Sequence, residues 1–104
     1  MIPKTYRLLI TKNQSFKGEK VVFPWVICVA QPAEHAQWAI RVSKKIDHRA
    51  VVRNRLRRHC LQWLYQHRQN LSSKAGLVIL RKKPSTVEEM RQLTQNINHA
   101  FKSV

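Results

Sequence analysis

The sequence predicts an α+β fold: a small mixed sheet with helices packed on it. Three observations carry this. Three short runs rich in β-branched and aromatic residues read as strands, and two longer stretches repeat their apolar residues at helical spacing. Hydrophobic residues make up 43% of the chain, enough to fold around a core. The length of 104 residues suits one domain, 1–104, burying about two-thirds of its unfolded surface.

Tyr6, Leu8, Leu9 and Ile10 predict a short helical turn, and the polar residues from Asn13 to Lys20 read as loop. Val21 to Ala30 reads as one strand, apolar on both faces, with Pro24 marking an edge position or a bulge. Gln31 to His35 is a turn. Gln37 to Ser43 alternates and predicts a half-buried strand. Asp47 is a candidate cap for the main helix, residues 49 to about 68. Val52, Leu56, Cys60, Trp63 and Leu64 form the apolar stripe of that helix. Arg53, Asn54, Arg57 and Arg58 are expected on its far side, with Arg55 flanking the stripe. Leu77 to Leu80 is a short continuous strand. Ser85 or Thr86 caps a last helix, with Glu88 and Glu89 at its positive end and Met90, Leu93, Ile97 and Phe101 on its apolar face.

Twenty lysines and arginines stand against five acids, a formal net charge of +15 at pH 7. Such an excess repels itself, and its usual recipient is a polyanion, with nucleic acid the default. Several classes are excluded. The longest apolar run is ten residues, broken by Pro24, where a bilayer span needs about 20. The N-terminus lacks the pattern of a signal peptide. Gly18 and Gly76 cannot make a glycine-rich phosphate loop. Cys28 and Cys60 form no CxxC pair and read as buried thiols of a cytoplasmic protein.

The charge is concentrated. Arg41, Lys44, Lys45, Arg49, Arg53, Arg55, Arg57 and Arg58 fall within eighteen positions, against Asp47 alone. The helix offers these arginines no acid at i+3 or i+4, so they are not a salted solvent face. Guanidinium groups can fork onto phosphate oxygens, and Asn54 adds an amide donor. Such a face reads shape and charge rather than sequence.

Arg41-Val42-Ser43-Lys44-Lys45-Ile46, followed by Ala50-Val51-Val52-Arg53-Asn54-Arg55-Leu56-Arg57-Arg58, resembles the signature of the bacterial ribonuclease P protein subunit family. The opening Ile2 to Leu8 and the late Leu77 to Pro84, ending Arg-Lys-Lys-Pro, are similar to that family too. One departure is Leu61, where a basic residue is common. The resemblance implies a left-handed βαβ crossover, against the general preference. It implies an accessory protein without catalytic residues of its own. The partner RNA hydrolyses precursor tRNA with Mg²⁺, and the protein binds that RNA and the 5′ leader. Lys44, Lys45, Arg49, Arg53, Asn54, Arg55, Arg57 and Arg58 are then the RNA-binding residues. Phe16, Phe23 and Trp25, with Arg81 at the rim, are candidates for a leader cleft between sheet and long helix, where aromatics stack on splayed bases. No cofactor is expected on the protein alone, which is expected to be a monomer without membrane association; Mg²⁺ belongs to the RNA-containing holoenzyme.

Two rival readings start from the same residues. A protein nuclease needs convergent carboxylates, and Glu19, Glu34, Asp47, Glu88 and Glu89 are scattered. The five histidines show no acid–base spacing, and His59 with Cys60 reads as ordinary packing rather than a metal site. A ribosomal or other structured-RNA or DNA-binding protein would share the basic helix, and co-purifying nucleic acid would tell it apart.

Overall fold

The computed structural model describes residues 6, 18–34, 36–71 and 74–102. The predicted helical turn beyond Tyr6 and the candidate Phe16 lie outside them. The elements are β1 (Glu19–Val22), β2 (Val26–Pro32), β3 (Gln37–Arg41), α1 (Ala50–Gln66), a 3₁₀ turn (Arg68–Asn70), β4 (Lys74–Leu80) and α2 (Val87–Phe101).

The expected single strand from Val21 to Ala30 is a hairpin. Pro24 has no N–H for a ladder and a fixed φ, so the chain turns there. The Phe23 N–H donates to the Val26 carbonyl at 2.8 Å, and Val21 pairs with Cys28. β2 instead runs on through Gln31 and Pro32, and β4 begins at Lys74, because these ends pair with each other.

The sheet order is β1-β2-β4-β3. β2 runs antiparallel to both its neighbours, β1 and β4, while β3 lies parallel to β4, joined to it through α1. The sheet is therefore mixed, as predicted. One face carries Val26, Cys28, Trp38, Ile40, Val78 and Leu80, which close a single core with Leu56, Cys60 and Leu64 of α1 and Leu93, Ile97 and Phe101 of α2. α1 lies over β3 and α2 over β2. The Phe101 ring of α2 packs directly on Gly76, where a Cβ would run into it. The other face presents Ile27, Val29 and Ile79, half-buried, and Leu77, which is buried yet stands apart from the core cluster.

Thr86 caps α2, its Oγ1 accepting from the Glu89 N–H at 3.1 Å, while the Glu89 carboxylate accepts from the Ser85 N–H at 2.7 Å. This is the reciprocal logic of a capping box. Both thiols are buried, Cys28 on β2 and Cys60 on α1. Burial, with Cys60 nearby, pushes the Cys28 thiol up to about 12, and burial alone does the same for Cys60. No described helix is long and apolar enough to cross a membrane.

Candidate nucleic-acid interface

The interface starts from a turn. Val42 is buried and anchors the end of β3; the Ile46 N–H then donates to the Ser43 carbonyl at 3.1 Å. That turn puts Lys44 and Lys45 at its tip, both exposed. Asp47 follows, almost fully buried. Its Oδ1 accepts from the Arg49 backbone N–H at 2.9 Å and from Arg49 Nε at 3.1 Å. Its Oδ2 accepts from Arg49 Nη2 at 3.0 Å and from Lys83 Nζ at 2.7 Å. One carboxylate thus ties the loop before α1 to the Arg-Lys-Lys-Pro segment after β4. The side-chain bonds from Arg49 and then Lys83 hold the Asp47 carboxyl well below the usual carboxylate range, and Asp47 raises Arg49 in return.

Asp47 does not cap α1, as the sequence suggested. Arg49 occupies the cap position and no side chain caps the helix. Asp47 bonds the N–H two residues on, closing the turn ahead of the helix instead. The first turn of α1 contains no acid, so the positive end of the helix dipole stands unneutralised among cations. That combination disfavours the isolated helix and favours an anion at its N-terminus.

Two expected positions on α1 exchange roles. Arg53 lies three residues before Leu56 and continues the buried side. It is half-buried, and its Nη1 donates to the carbonyls of His48 at 2.9 Å and Asp47 at 3.2 Å. Arg55, expected beside the stripe, is exposed. With Val51, Asn54 and Arg58 it lines an open groove of about 300 Å³. Arg57 is half-buried and donates to the Asn54 side-chain oxygen. The structure therefore divides the eight predicted residues. Lys44, Lys45, Asn54, Arg55 and Arg58 are presented outward, while Arg49, Arg53 and Arg57 also brace the start of the helix.

Phe23, Trp25 and Arg81 do come together, but against α2, the last helix, rather than in a cleft formed with α1. The Trp25 backbone N–H donates to Asn96 Oδ1 at 3.2 Å, and its indole N–H to Gln92 Oε1 at 3.1 Å. The Phe23 ring meets His99 edge-on at 5.7 Å. Arg81 ties the turn to β4: its backbone N–H donates to the Trp25 carbonyl at 2.9 Å and its Nη1 to the Phe23 carbonyl at 2.8 Å. Lys82 Nζ lies 5.5 Å over the Trp25 ring, a cation–π distance. Both aromatic rings are half-buried. Lys82, Lys83, Gln92 and Asn96 were not singled out from sequence. Their partners are many residues away, and only the density of cations in Arg81-Lys82-Lys83 hinted at them.

A family model for ribonuclease P matches residues 3–104. The chain belongs to the ribonuclease P protein family. It is 30% identical over 97 residues to the ribonuclease P protein component of Bacillus mycoides (strain KBAB4), covering 93% of this chain and 82% of that one. Among solved structures it is similar to a Staphylococcus aureus RNase P protein mutant with defective mRNA degradation activity. That pair shares 28% identity with a TM-score of 0.73, over 92% of this chain and 85% of the other. The RNase P protein of Thermotoga maritima, in complex with 1-(4-fluorophenyl)-2-thiourea, matches the fold with a TM-score of 0.67. It does so at 19% identity, over 84% of this chain and 86% of that one. As a ribonuclease P protein, the chain is a component of an endonuclease complex that matures tRNA 5′ ends, and its partner there is the ribonuclease P RNA.

Proposed function

We propose that this ribonuclease P protein grips the catalytic RNA through the outward cations at the start of α1 and contacts the 5′ leader of precursor tRNA, while the RNA carries out the hydrolysis. The single observation behind this is the helix start itself: Lys44, Lys45, Arg55 and Arg58 exposed, and no acid anywhere in α1 to neutralise them. Phosphates supply the missing counter-charge, and the exposed guanidinium forks suit them. The Phe23, Trp25, Arg81 and Lys82 group, half-open and cationic, is the proposed contact for splayed leader bases.

The protein's own acids support a non-catalytic role. Among the described residues no three His, Cys, Asp or Glu side chains converge. Asp47, the acid nearest the basic face, is taken up by Arg49 and Lys83. The donor set does not fit a divalent ion, so the proposal places Mg²⁺ with the RNA. We further propose that the free protein is a monomer of the cytoplasm.

Reconstitution of 5′ processing with the ribonuclease P RNA of the same organism tests the reading. Adding the protein is expected to lower the Mg²⁺ requirement and tighten precursor tRNA binding, and the protein alone is expected to cut neither precursor tRNA nor messenger RNA. Metal-dependent cleavage by RNA-free protein would move catalysis onto this chain.

A further inference from the structure

A second surface lies at the other end of α1, where Trp63 is about 20 Å along the helix from Ala50 and about 8 Å from Arg58, at 1.5 Å per residue. Trp63 and His67 stack there, ring centroids 4.2 Å apart and planes 20° from parallel. His67 Nδ1 sits 2.8 Å from the Trp63 carbonyl oxygen. A carbonyl can only accept, so Nδ1 carries the hydrogen and Nε2 is left available. The two rings form one fixed aromatic plate, half-open to solvent. It walls a groove of about 620 Å³ completed by Gln69, Asn70, Asn98 and Lys102. None of those three side-chain amides, nor the Lys102 ammonium, has a hydrogen-bond or ion-pair partner among the described residues. Among the described residues the groove has no acidic wall, and its size falls within the roughly 300–1,000 Å³ of small-molecule sites.

We propose that this groove is a nucleotide-binding site that takes one unpaired base of an RNA strand. It rests on RNA being the protein's ligand and adds a contact point away from the start of α1. Each part of a nucleotide finds a matching group. The base stacks on the Trp63–His67 plate, as bases do on exposed aromatics in single-strand binders. Free amides can pair with two adjacent atoms of a base edge, donating and accepting at once. Lys102 supplies the charge for the phosphate. The net charge of +15 also selects a polyanion over a neutral ligand.

The test uses the full chain with five-nucleotide single-stranded oligoribonucleotides and, separately, an RNA duplex. Affinity and the NMR signals of the Trp63 indole and His67 imidazole are read together. Adding single strands is expected to shift both signals. Trp63→Leu, which keeps an apolar side chain, is expected to weaken single-strand binding about tenfold and duplex binding little. Because Trp63 also packs on the core, Asn98→Ala with Lys102→Ala at the exposed rim is the second variant, and the same selective loss is expected. If single strands bind but shift only signals near Lys44, Lys45, Arg55 and Arg58, the groove is no nucleotide site while RNA binding stands. If neither single strands nor duplex binds, the groove proposal falls together with the reading beneath it.

Discussion

Asp47 holds two cations on one carboxylate, and the pH behaviour of the fold follows. Its pKa is lowered in the folded state, so its contribution to stability is full above the unfolded value of about 3.9 and is lost as pH falls toward the folded one. Asp47→Asn is expected to lower Tm at neutral pH and to flatten the fall of Tm below about pH 4, which thermal melts across pH would reveal. Arg55 and Arg58 are the outward pair, so Arg55→Ala with Arg58→Ala is expected to shallow the salt dependence of RNA binding by about 0.7–0.9 log units per lost phosphate contact. Arg53→Ala, which frees the His48 and Asp47 carbonyls, is expected to act through the stability of the helix start instead. Trp25→Ala is expected to reduce affinity for leader-bearing but not mature tRNA, by about 1–3 kcal/mol. Equal loss for both, or loss of folding, would make the residue a strut for Gln92 and Asn96 only. The basic cluster was legible from residue type and spacing. The exchange of Arg53 and Arg55 was not, because the wheel shows which side faces the sheet but not which backbone carbonyls wait at the helix start. Lys83 was out of reach because its carboxylate partner is 36 residues away.

At the scale of elements, both helices and the strands around them could be read from periodicity, since burial on one face leaves a repeat in the sequence. The hairpin was read as one strand. The residues flanking the turn, 21–22 and 26–30, are apolar on both sides, and the turn at Pro24 carries Phe23 and Trp25 where a turn usually carries polar residues. Those two rings are held by α2, a contact no local pattern encodes. The meeting of α2 with the sheet is tight at Gly76. Gly76→Ala is therefore expected to destabilise the protein by about 1–3 kcal/mol in denaturant melts, since the Phe101 ring must move. Relief of that loss by Phe101→Leu in the double variant would show that the ring, not the strand, resists the methyl group.

Across the whole molecule, the sheet and both helices enclose one cluster with the two thiols inside it. A thiol-specific reagent at neutral pH is expected to leave the native protein unmodified and to react with both cysteines only as the protein unfolds, so the reaction rate reports global opening. The order β1-β2-β4-β3 has a further effect on how the chain assembles. β2 and β3 are consecutive in the chain yet do not pair; β4 lies between them, and among the described strands it is the one β3 pairs with. Until Lys74–Leu80 emerges from the ribosome, the nascent polypeptide can hold one hairpin, while β3 and the arginine-bearing helix wait without a platform. The late strand is thus a keystone. Its long-range pairings make collapse a single late event, in which the RNA-gripping surface and the interior are completed together.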